Sequence, residues 1–275
     1  MSKDSIPLGN PVDIQPPPPI QKGIPFPVAR GLWLGVWLLL LAFAFSGVRF
    51  ELAGIPIRTL RLNGNFVREW WWFISQGVGI TFQLSLFSIV CATTLAFLSA
   101  LAGLSRIAPL NSLSALYVSL MRGTPLFLQF LFIYQALPQL GLVLGSFSSA
   151  VLALTLNYGA YMSEIFRAGI QAIHRGQTEA AYALGLKPWQ TLWRIILPQA
   201  FRIVLPDIGN QFIAMQKDTA LASAIALQEL MGRARQAGLP RQHFFEALVV
   251  AALWYWLLTL ILSFFQGRLE RYLAR

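Results

Sequence analysis

Three polar groupings interrupt otherwise apolar stretches, and each carries side chains able to hold a small charged solute. Arg122-Gly123-Thr124-Pro125 breaks an apolar run near its middle. Glycine and proline disrupt a helix there, and Thr124 can cap the half that follows. A broken helix at membrane depth survives only against protein or a wet cavity. Arg122 can grip a carboxylate through two parallel hydrogen bonds, or it can snorkel to a boundary or pair with a neighbouring carboxylate. Gln129, just after the break, is a further polar candidate. Asn157, Tyr161 and Glu164 are spaced by four and three, so they share one helix face. Glu164 can hold an ammonium or guanidinium group, or pair with Arg167 or Arg122. Lys217-Asp218-Thr219 lies midway along another apolar run. Its two charges can neutralise each other or partners on nearby helices, and Asp218 or Thr219 can cap a restarted helix. An amino acid always brings one carboxylate and one ammonium. A cavity with an arginine and a glutamate satisfies both, which suits polar amino acids better than lipids, sugars or inorganic ions.

Other chemistries find little support. His174 and His243 are too few and too far apart for a metal site. The lone Cys91 sits in an apolar run and is expected to be a small core residue. No serine–histidine or cysteine–histidine set accompanies the candidate cavity, so no catalytic residue is expected. No Gly-Lys dipeptide occurs, so there is no phosphate-binding P-loop, and the chain is not expected to hydrolyse ATP.

The elements that must position these residues are membrane helices. Hydrophobic residues make up 56% of the 275 and charged residues 12%, with a mean hydropathy of +0.59. That composition excludes a disordered chain, a coiled coil and most soluble enzymes. The net charge of +10 lies between the apolar stretches, where it sets orientation against membrane lipid rather than binding nucleic acid. About six spans are expected, near 31–48, 77–104, 111–137, 148–170, 203–231 and 245–266. Residues 1–30 hold half of the 16 prolines and read as a mobile cytoplasmic tail. The charge-free stretch 31–48 reads as a retained helix. A cleaved signal peptide is the rival, but its n-region would be about twice the usual length and its small-x-small triplet, Ala42-Phe43-Ala44, falls inside the apolar run. Residues 49–69 read as a polar external loop, and Trp70, Trp71 and Trp72 as an aromatic boundary anchor. With both termini inside, twelve of the 21 basic residues face the cytoplasm and seven face outward, which favours that orientation. The main body is then 70–275.

Residues 174–200 carry no span. Thr178 can cap a short helix that begins with Glu179, Gly185 suits a left-handed joint, Pro188 fits the first turn of a second helix, and Pro198 ends it. Two readings are open: an amphipathic helix resting on lipid through Trp189 and Trp193, or a small-residue surface on which another protein lies close.

The pattern itself is more specific. Glu179-Ala180-Ala181, three residues, Gly185, nine residues, then Ile195-x-Leu197-Pro198 resembles the EAA loop of ABC importer permeases. RGTPLFLQFLFIY (122–134), NYGAYMSEIFRAGI (157–170), GQTEAA (176–181), ILPQAFR (196–202) and KDTALASAIA (217–226) are similar to polar amino acid permeases of the HisM/HisQ type. The resemblance covers about 75–270. The helix at 31–48 and loop 49–69 lie outside the smallest members' five-span core, and Ala220 stands where serine is common. It implies an all-α integral membrane protein of the type I ABC importer permease fold in a bacterial inner membrane. Glu179, Ala180, Ala181, Gly185, Leu197 and Pro198 would form a cytoplasmic coupling helix. Arg122, Thr124, Gln129, Asn157, Tyr161, Glu164, Lys217 and Asp218 would contact substrate. The implied partners are ABC ATPase subunits that bind the ATP, a second permease subunit, identical or paralogous, and a periplasmic amino acid-binding protein. An ion-coupled secondary transporter using Glu164 and Asp218 is the alternative.

Overall fold

The computed structural model describes residues 26–52 and 55–273, so the expectations for the proline-rich tail lie largely outside the described residues. The chain divides into two compact units at Leu62/Asn63. In the first, helix α1 runs Phe26–Ala44 with Pro27 in its first turn, where a missing N–H costs nothing. The helix thus starts inside the segment expected to be tail, and its side chains from Leu32 to Leu41 are largely exposed. The expected loop contains an antiparallel hairpin, β1 (Arg49–Leu52) with β2 (Ile55–Arg58), pairing Arg49 with Arg58. Here β-branched Ile55 and Ile57 favour the extended chain.

In the second unit Asn63 opens α2 (Gly64–Ser75), accepting from the Asn65 and Phe66 amides at 3.1 and 3.2 Å. The unit continues through α3 (Gly77–Leu104), α4 (Ala108–Gly123), α5 (Leu126–Ala136), α6 (Ser146–Gln171), α7 (Arg175–Ala183), α8 (Pro188–Thr191), α9 (Leu197–Asp218), α10 (Leu230–Gly238) and α11 (Phe244–Leu273). Among the described residues, Gly64–Leu104 and Phe244–Leu273 are long and apolar enough to cross a membrane, and the pair α4 with 126–140 would make a third span if taken as one. Helices α6 and α9, at 26 and 22 residues, also have bilayer length but carry the polar face.

The core explains this arrangement. Helix α3 lies along α6, burying Ala92, Ala96 and Ala100 with Ala150, Ala153 and Leu154. Small side chains let two backbones approach closely where lipid gives no hydrophobic drive. A second cluster joins Phe66, Ile74, Leu230, Ala234, Ala247 and Val250.

Several expectations change. The segment 111–137 is interrupted where Gly123 and Pro125 break it, and its two halves bend by 107° there. The segment 203–231 ends as an α-helix at Asp218, then tightens into a 3-10 stretch, Thr219–Ile225, closed by left-handed Ala226. Neither Asp218 nor Thr219 caps a restarted helix. Thr219 Oγ1 donates to the Gln216 carbonyl at 2.8 Å, and Glu229 caps α10 instead, accepting from the Met231 and Gly232 amides. Cys91 is exposed rather than a core residue, because it lies on the outer face of α3. Of the three tryptophans, Trp72 is the one that points freely outward, at 72% exposure. Trp70 lies under the Arg241 guanidinium at 3.8 Å, and Trp71 packs on Trp254 at 5.1 Å.

Candidate functional site

The break in the third apolar segment is a corner held by side chains. Gln129 is buried and donates through Nε2 to the Met121 carbonyl (2.8 Å), the Thr124 carbonyl (3.2 Å) and Thr124 Oγ1 (2.8 Å). Asn157 Nδ2 on α6 donates to Gln129 Oε1 at 3.2 Å and to the Met121 carbonyl at 3.3 Å. These amides satisfy carbonyls that the bend takes out of the helix ladder. Thr124 turns its hydroxyl back to the Leu120 carbonyl at 2.9 Å and does not cap α5, whose first turn follows Pro125. Gln129 is therefore a clamp behind the wall rather than part of it.

The corner faces α6 and α9 across a cavity of about 600 Å³. That falls within the usual range for small-molecule sites, about 300–1,000 Å³. Arg122, Thr124, Asn157, Tyr161 and Asp218 line it together, with Tyr158 and Gln211, which the sequence pattern did not single out. Arg122 ends α4, where a cation suits the helix dipole. Its guanidinium lies over the Tyr161 ring at 5.2 Å and makes no ion pair among the described residues. Asp218 also lacks an ion pair and accepts a hydrogen bond from Tyr158 Oη at 2.8 Å. Among the described residues, the cavity thus presents one cation and one anion without an ion pair.

Besides Gln129, two more expected residues fall elsewhere. Glu164 lies one turn along α6 from Tyr161, paired with Arg167 at 2.6 Å through Nη2, with Arg167 Nε 3.2 Å from both carboxylate oxygens. The i,i+3 spacing puts them side by side on one helix, so Arg167 takes the carboxylate. Lys217 is exposed and does not line the cavity, because the step from 217 to 218 turns it about 100° around the helix.

The segment after α6 is a helical knuckle. Helix α7 begins at Arg175, one turn before Thr178, with His174 Nδ1 accepting from the Gly176 amide at 3.1 Å. Thr178 therefore does not cap it. Gly185 takes the left-handed conformation at φ +76°, and Pro188 starts α8. Pro198 does not stop the chain: a wide π-helical turn, Leu192–Ile196, absorbs its missing amide, and Pro198 enters α9 in the first turn. Glu179, Ala180, Gly185 and Pro198 are exposed, whereas Ala181 and Leu197 are buried, at 3% each, and tie the knuckle to the body. Tyr182, Leu184 and Trp189 add exposed apolar surface.

The family described as binding-protein-dependent transport system inner membrane component matches residues 92–275. Over 215 residues the chain is 40% identical to the L-cystine transport system permease protein TcyB of Bacillus subtilis (strain 168), spanning 76% of this chain and 91% of that protein. Over 200 residues it is 41% identical to the arginine transport system permease protein ArtQ of the same organism, spanning 72% and 91%. A solved structure described as an amino acid ABC transporter with histidines superposes with a TM-score of 0.72 at 32% identity, covering 77% of this chain and 99% of that one.

Proposed function

The chain belongs to the family of inner-membrane components of binding-protein-dependent transport systems, and from that premise we propose that it is the permease subunit of an ATP-binding cassette importer for polar amino acids. The relatives named for L-cystine and arginine support the substrate class. The observation that carries the reading is the exposed knuckle 175–191, which presents Glu179, Tyr182, Leu184 and Trp189 without spanning the membrane. An apolar patch with a charge at its edge suits a protein partner, and here the partner is an ATPase subunit that binds and hydrolyses the ATP. A second permease subunit completes the path, and a binding protein delivers substrate on the opposite face. Both termini lie in the cytoplasm with the knuckle. The helix α1 and the hairpin-bearing external loop after it are additions to an importer domain that begins at Asn63 rather than at 70. ATP binding draws the knuckles together and turns the cavity outward.

In the cavity, Arg122 takes the α-carboxylate through two charge-assisted hydrogen bonds, and Asp218 takes the ammonium. This revises the pairing expected from sequence, since Arg167 already occupies Glu164. Thr124, Asn157 and Tyr161 supply the remaining wall. The test is Glu179→Arg in proteoliposomes holding the permease, its ATPase and binding protein. ATP-driven uptake falls to background while the protein stays in the bilayer. Uptake at the wild-type rate, or uptake that survives without ATP and collapses with an uncoupler, overturns the reading.

A further inference from the structure

A second cavity of about 580 Å³ adjoins the first along the α6–α9 crevice, toward the knuckle. Arg122, Tyr161 and Gln211 line both of these cavities; Asp207 lines the second alone, whereas Glu164 and Arg167 also border a third, against α3 and α4. On α9, Asp207, Gln211 and Asp218 are spaced by four and seven and fall in one stripe. The crevice therefore carries a carboxylate at each level, about 16 Å apart along the helix.

Their surroundings differ from that of Glu164. The Arg167 guanidinium is taken up by Glu164 and by Gln171 Oε1 at 3.0 Å. Asp207 is exposed and has no hydrogen bond or ion pair among the described residues. A lone carboxylate inside a span costs a few kcal/mol unless it faces a wet cavity, and it marks a solute path by default. Arg122, which borders both levels on a long flexible stem, has no ion pair either.

We propose that Asp207 forms a second, exit-side station for a zwitterionic amino acid. It takes the ammonium group released by Asp218 while the Arg122 guanidinium follows the carboxylate from one level to the next. The proposal rests on Arg122 and Asp218 binding substrate in the first cavity. It gives a physical reason for an unpaired Asp207 on the same stripe as Asp218. It also separates the two tasks, capture and release, between two carboxylates sharing one cation.

The test uses the complete complex in proteoliposomes, with radiolabelled L-arginine, L-cystine and L-glutamine offered singly. For whichever is taken up fastest, Asp207→Asn lowers kcat about tenfold with KM unchanged within twofold. Asp218→Asn raises KM about tenfold, and Asp207→Glu regains at least half of the wild-type kcat. The station is overturned if Asp207→Asn transports normally, if it raises KM as Asp218→Asn does with kcat intact, or if Asp207→Glu is as slow as Asp207→Asn at equal membrane abundance. Uptake of none of the three by the wild type, or normal uptake by both Arg122→Ala and Asp218→Asn, instead removes the substrate reading beneath it.

Discussion

Tyr158 Oη donates to Asp218 Oδ2 across 2.8 Å, joining the middle of α6 to the last residue of α9. Tyr158→Phe leaves the buried ring in place and frees the carboxylate to rotate. A lost hydrogen bond of about 0.5–1.5 kcal/mol corresponds to a rise in KM of roughly two- to tenfold. The concentration dependence of uptake checks this; a fall in kcat with KM unchanged would show that the hydroxyl serves something other than Asp218.

Gln129→Leu keeps the bulk behind the corner but removes every donor. The Thr124 carbonyl loses the amide that satisfies it, and the Met121 carbonyl is left with Asn157 alone. At about 1–3 kcal/mol for a buried unsatisfied group, and about 2–4 °C per kcal/mol, the melting temperature in detergent drops by several degrees. An unchanged melting curve would mean that Asn157 alone holds the bend.

Two glycines on α3 predict opposite signs. A Cβ on Gly77 would lie 2.6 Å from the Leu230 amide nitrogen and 2.7 Å from its Cα, both backbone atoms that cannot step aside. Gly77→Ala therefore destabilises by about 1–3 kcal/mol. A Cβ on Gly79 meets nothing within 4 Å, so Gly79→Ala gains helix propensity, up to about 1 kcal/mol. Thermal melts of the two variants, measured side by side, should move apart.

Much of the fold is legible where constraints are local. The range 77–104 is free of charge and became α3 at those limits. Gly185 and Pro188 took the conformations their chemistry favours. The 107° bend was not legible, because Gly123 and Pro125 announce a break whereas its angle depends on Gln129 and Asn157, the latter on another helix. Pro198 misled for a related reason: the stop it signals was absorbed by the widened turn before it. Of the candidate cavity, Arg122, Asn157, Tyr161 and Asp218 could be found by helical spacing and intramembrane charge, but Tyr158 and Asp207 could not be ranked without knowing which faces meet. Glu229 falls inside the expected span 203–231. It is fully buried, capping α10 and accepting from Tyr255 Oη. A lone acid at the end of an apolar run, just before a fresh helical pattern, was the available signal.

Helix α11 has 30 residues, about 45 Å of rise, against a hydrocarbon slab of roughly 30 Å. The surplus carries Arg268, Glu270 and Arg271, which belong among lipid headgroups. Short-chain lipids must tilt this rod or stretch around it, and long-chain lipids let it stand upright. Because Gln266 on the same rod hydrogen-bonds the Pro206 carbonyl at 2.8 Å, its inclination is coupled to α9, and bilayer thickness becomes a mechanical input to the protein.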